Sequence, residues 1–173
     1  MQFTLKDKLL TVLGFIIFLV VGPALMVYLS RQDPTTFLDQ EDTTLYLAGL
    51  MSAVGLGLAL WANYTLIVQG QGGAGNFGPL KLMTETRHLV RTGPYSICRN
   101  PMHLGVFFYY AGFACALNSL LALVVPLAFI VFAYFNAIVL DEPRLKRDFP
   151  EEWSIYEQEV PRFLPRALKR RSK

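Results

Sequence analysis

Apolar and polar positions fall in long blocks along this chain, not at the short periods of soluble helices and strands. Leu9 to Leu29 runs 21 residues without a charge, Thr44 to Val68 forms a second apolar run, and Leu104 to Leu140 holds 37 uncharged residues. A hydrocarbon core of ~30 Å takes about 20 helical residues to cross. The first two runs each predict one span. The third is too long for one and divides into two of ~18 residues, with Asn118-Ser119 as the natural hairpin turn. The expected spans are 9–29, 44–68, 104–117 and 120–140, the last two short and tightly packed. Gly14, Gly22, Gly49, Gly55 and Gly57 are small residues that permit close helix approach. A secretory signal is the other reading of the first run, which is too long for a signal core and lacks a small-residue cleavage site.

Composition sharpens this picture. The chain is 53% hydrophobic and 17% charged, too apolar for an ordinary soluble domain. The expected fold is all-α: one polytopic membrane helix bundle, residues 1–173, with about four transmembrane helices, a polar loop and a C-terminal amphipathic helix. Basic residues set its orientation. Fifteen of the 16 Lys and Arg lie in 1–8, 69–103 and 141–173, whereas 31–43 has only Arg31 against Asp33, Asp39, Glu41 and Asp42. The positive-inside rule then places both termini and the 69–103 loop in the cytoplasm. The charges flank spans and form no basic face, so a nucleic-acid partner is not expected. Cys98, Cys115, His88 and His103 lack metal-type spacing, so no metal is expected.

Polar chemistry therefore collects on one side, in 69–103 and in 141–173, and the hairpin of the last two spans brings the blocks together. The first opens with five glycines between Gly70 and Gly78. It lacks the Lys-Ser or Lys-Thr ending of a phosphate loop and reads as a flexible link. Gly93-Pro94 marks a turn, and Pro101 suits the first turn of the third span. The amides of that turn are unpaired donors suited to a carboxylate, with Arg99 and His103 beside them. Interfacial anchoring, with Arg99 snorkelling and Tyr95 among the headgroups, explains the same residues. In the second block, Asp141 and Glu142 end an apolar span and oppose its dipole, so a cation or a basic side chain such as Arg99 or Arg144 should face them. Leu145, Phe149, Trp153, Tyr156 and Val160 follow at helical spacing, with a break expected near Phe149 before Pro150. That stripe predicts an amphipathic helix on the membrane or capping the bundle.

The segment "RHLVRTGPYSICRNPMHLG", followed after the hairpin by "DEPRLKRDFPEEWSIYEQEVPRFLP", resembles the isoprenylcysteine carboxyl methyltransferase family, in a wider group that includes membrane phospholipid N-methyltransferases. The match covers about residues 87 to 165. The resemblance implies an enzyme, an S-adenosylmethionine-dependent methyltransferase with a cytoplasm-facing cofactor pocket. It implies cofactor contacts at Arg87, His88, Leu89, Val90, Tyr95, Asn100, Pro101, Met102 and His103, with Asp141 and Glu142 on the other side. Glu142, His103 and Arg99 are the candidate catalytic residues. Glu142 or His103 could take a proton from an amine acceptor, and the planar fork of Arg99 suits Asp141 or Glu142 across the hairpin.

Departures from the family pattern bear on the acceptor more than on the cofactor. Asn100 stands where the family has the His of Arg-His-Pro, His103 where it has Tyr, and Pro150 where it has Gly. Ala137, with Asn136 beside it, occupies the place of an arginine that serves the substrate carboxylate. The expected acceptor is a lipophilic molecule or membrane lipid entering from the bilayer. Carboxyl O-methylation of an isoprenylcysteine-like group, N-methylation of a lipid amine and S-methylation of a small thiol all remain open. Two readings of other classes are an NADPH-dependent membrane reductase and a non-catalytic membrane protein.

Overall fold

A computed structural model describes residues 9, 13–14, 16–33, 35–38, 42–73, 76–77, 80–81 and 86–163. Five helices organise them. Helix α1, Ile17–Gln32, begins with a wide π turn over Ile17–Val21. Helix α2 is Asp42–Gln69, and α3 is Pro101–Leu117. Helix α4 runs from Leu120 to Asp148, with a π turn at Ala137–Asp141 in its course. Helix α5, Pro150–Glu159, follows a break at Phe149, as the proline after it predicts. A two-residue antiparallel pair, β1 Asn76–Phe77 with β2 Leu80–Lys81, lies in the loop after α2.

Among the described residues, two helices, α2 and α4, are long and apolar enough to cross a membrane. Only 17% and 22% of their most apolar windows are buried. The core helix of a soluble protein would be mostly buried, whereas these apolar surfaces are left for a bilayer or a partner to cover. On α2, Leu47, Leu50 and Val54 face outward; on α4, Val124, Leu127, Val131 and Phe135 do. Helices α1 and α3 are shorter apolar helices. The expected first span, 9–29, falls partly outside the described residues.

Small residues decide how closely α2 and α3 approach. A side chain added at Gly105 would meet the Gly55 carbonyl oxygen at 2.6 Å, and one at Gly112 would meet the Ala48 carbonyl oxygen at 2.6 Å. The helices thus cross backbone to backbone, as small-residue membrane interfaces do. Gly55 serves as expected, and Gly22 makes room for the Tyr110 ring. Gly14, Gly49 and Gly57 correct the expectation: nothing lies within 4 Å of a side chain added there. Against this crossing pack Met26, Val106, Ala114 and Ala122, with Tyr110 donating to the Phe18 carbonyl at 3.0 Å.

Asn118 makes the hairpin turn, in the left-handed region at φ 48°, which Asn tolerates well. Its Oδ1 accepts from the Phe37 and Leu38 amides at 3.0 and 2.9 Å, and its Nδ2 donates to the Leu38 carbonyl at 2.8 Å. Ser119 caps α4 by accepting from the Ala122 amide at 3.3 Å. The expectation that Asp141 and Glu142 end a short helix is corrected. Helix α4 continues through them for another two turns, to Asp148.

Candidate functional site

The link after α2 starts as a docked segment. Gly70 is buried, and its carbonyl accepts from the Arg87 and His88 amides at 2.8 and 3.4 Å. A flexible link is therefore not what Gly70, Gly72 and Gly73 make, since all three are buried; Gly75 and Gly78 lie outside the described residues. The chain then turns through Gly93–Ser96, a short 3₁₀ helix that buries Pro94 and Tyr95. Pro101 opens α3 as expected, and no side chain caps that helix. The Asn100 side chain turns instead to the Arg162 carbonyl, at 3.1 Å.

From the other side, the π turn in α4 sets the acidic pair. Five residues apart, Asn136 and Asp141 would sit on different faces of a regular α-helix. The wider turn brings them together, and Asn136 Nδ2 donates to Asp141 Oδ2 at 3.0 Å. Glu142 points elsewhere. Its carboxylate accepts two parallel bonds from Arg162, at 2.6 and 2.8 Å, and lies 3.3 Å from Arg99 Nη1. The fork expected of Arg99 thus belongs to Arg162. The bond with Glu142 pushes the Arg162 pKa up further.

Residues 160–163 strap the two blocks together. The Arg99 amide donates to the Pro161 carbonyl at 2.8 Å, and the Asn100 amide to the Arg162 carbonyl at 3.1 Å. Arg162 lies over the Tyr134 ring at 5.4 Å, and Arg99 over Trp153 at 5.1 Å. Helix α5 caps the bundle, burying Trp153, Tyr156 and Val160 against Leu89 and Leu145. Tyr156 donates to the Tyr95 carbonyl at 2.8 Å, and burial raises the pKa of both phenols, keeping them neutral. Burial also raises the Cys98 thiol to about 11.

Between the blocks lies a cleft with a cavity volume of about 80 Å³, continuous with the outside. His88, Leu89, Val90, Tyr95, Arg99, Asn100, Met102, His103 and Asp141, all singled out in the sequence, line it. Leu66, Arg144 and Tyr156 line it as well. Arg87 is exposed and Pro101 is buried at the start of α3; with Glu142, they are not among the lining residues. His103 Nε2 is buried without a hydrogen-bond partner. Sequence reasoning gave no site role to Tyr156 or Arg162. The Val-Pro before Arg162 was the one available signal, since its link to Glu142 spans a helix break and 20 residues.

The profile of a family described as phospholipid methyltransferase matches residues 43–152. The chain is also similar to a nickel-cobalt-cadmium resistance protein, NccN, of Alcaligenes xylosoxydans xylosoxydans, at 36% identity over 84 residues. That match takes in 47% of this chain and 38% of NccN, so the chain spans well under half of that relative's length.

Proposed function

Because the chain belongs to the phospholipid methyltransferase family, within the wider group of membrane methyltransferases, we propose that it transfers a methyl group from S-adenosylmethionine to a lipophilic acceptor in the bilayer. The observation that carries this reading is the meeting of two sequence-distant blocks in one cleft beside apolar helices. The cleft suits the cofactor chemically. Leu66, Leu89, Val90 and Met102 offer apolar wall for a base, Asp141 offers a carboxylate for cationic groups, and the uncapped start of α3 offers amides for an anion. When bound, the cofactor supplies an electrophilic methyl on a sulfonium, with a neutral thioether as leaving group.

The protein's own residues then have two tasks. The wall residues exclude water and align the reactants, which supplies most of the acceleration of such a displacement. Glu142, Arg99 and Arg162 hold the walls together; we assign Glu142 a positioning role because its carboxylate is engaged by two guanidiniums. For an amine acceptor, His103 is the group placed to accept a proton, through its unpartnered Nε2.

Purified protein incubated with methyl-labelled S-adenosylmethionine and a membrane-lipid extract should move label into the organic phase. Label released by alkali as methanol identifies a carboxyl ester, and alkali-stable label identifies N- or S-methylation. Binding of NADPH in place of S-adenosylmethionine, or of neither, contradicts the reading.

A further inference from the structure

Arg144 stands three residues after Asp141 on α4 and lines the cleft, and its Nε and Nη1 are buried without a hydrogen-bond partner. Unpaired buried donors are rare because burial removes their water and returns nothing. The neighbouring guanidiniums have other contacts, although Arg99 Nε and Nη1 also lack a hydrogen-bond partner among the described residues. Arg162 holds the Glu142 carboxylate and lies over Tyr134; Arg99 lies beside Glu142 and over Trp153. Asp141 is within electrostatic reach of Arg144 but spends its hydrogen bond on Asn136. Among the described residues around the cleft, Arg99, Arg144 and Arg162 face two carboxylates, Asp141 and Glu142. One positive charge is left over, and among the described residues Arg144 is the one of the three with neither a carboxylate ion pair nor a ring beneath it.

We propose that Arg144 receives an oxyanion in the cleft: a carboxylate of the bound cofactor or a phosphate of the bound lipid. The proposal rests on the methyltransferase reading for the first source but not for the second. A carboxylate or phosphate offers several acceptor oxygens and supplies the missing negative charge. At donors that are themselves buried, that pairing is strong and selects for ligands that carry the oxyanion over relatives that lack it.

Two ligand pairs differ by the anion. S-adenosylmethionine and its decarboxylated form differ by one carboxylate, and phosphatidylethanolamine and diacylglycerol by a phosphorylated headgroup. Calorimetry in detergent on the parent, Arg144→Gln and Arg144→Lys measures all four, with circular dichroism reporting the fold. Arg144→Gln should weaken the oxyanion-bearing member of one pair roughly 10- to 150-fold and spare the partner that lacks the oxyanion, while Arg144→Lys recovers part of the loss. Loss confined to S-adenosylmethionine assigns the cofactor carboxylate; loss confined to phosphatidylethanolamine assigns the lipid phosphate. Parent-like binding of every ligand by Arg144→Gln, or equal weakening within both pairs, overturns the proposal. A parent that binds neither cofactor form sinks the methyltransferase reading, and the lipid pair still decides Arg144.

Discussion

Arg99 has 10% of its side chain exposed, and it touches Glu142, Trp153 and the 160–163 strap at once. A lysine keeps the charge but has no planar face to lie on Trp153 and no second nitrogen. Arg99→Lys should therefore lower cofactor affinity by ~1–2 kcal/mol, the worth of a partly desolvated cation–π contact and an ion pair, with the bundle still folded. Calorimetry beside a thermal melt separates the two effects, and parent-like affinity would restore the headgroup-anchor reading. Arg162→Lys should cost less, about 1 kcal/mol, because its side chain is 30% exposed and partly screened. Cys98 offers a check by pH. Burial raises its pKa to about 11, so the reactive thiolate is scarce at pH 8 and grows as pH approaches that value. Alkylation by iodoacetamide in a Cys115→Ser background should be slow at pH 8 and accelerate above pH 10; rapid labelling at pH 8 would show the thiol exposed. At this scale the wall residues were legible because a contiguous motif carried them. Arg162 and Tyr156 were not, because their partners lie across a helix break.

Among the elements, the runs of uncharged residues located the helices well. They mislaid the end of α4, since hydropathy stops at Leu140 while the helix carries on to Asp148. The π turn that swings Asp141 toward Asn136 leaves no mark in an apolar count. Glycine frequency likewise did not say which glycines pack. Gly105 sits in the α2–α3 crossing and Gly57 faces open space. Gly105→Leu should prevent the close approach and abolish a monodisperse folded species, whereas Gly57→Leu should leave elution and melting near those of the parent. Size-exclusion chromatography in detergent reads both, and a tolerated Gly105→Leu would contradict the backbone-to-backbone crossing.

For the whole molecule, helices α2 and α4 and the apolar surfaces they expose were legible from sequence, and the pairing of the two polar blocks followed from the hairpin. Sidedness rests on the distribution of basic residues, and we propose both termini and the cleft on the cytoplasmic side. Single cysteines at Arg31 and Ser96, in a background lacking Cys98 and Cys115, should label from opposite sides of sealed cells; labelling of both from one side would refute four spans in this orientation. The most direct measurement of what the cleft does is calorimetric titration of purified protein with S-adenosylmethionine and, separately, NADPH, repeated on Asp141→Asn. S-adenosylmethionine should bind the parent, the Asp141→Asn variant should bind it roughly 10-fold or more weakly, and NADPH should give no heat. Equal affinity in parent and variant would move the cofactor out of this cleft, and NADPH binding would make the protein something other than a methyltransferase.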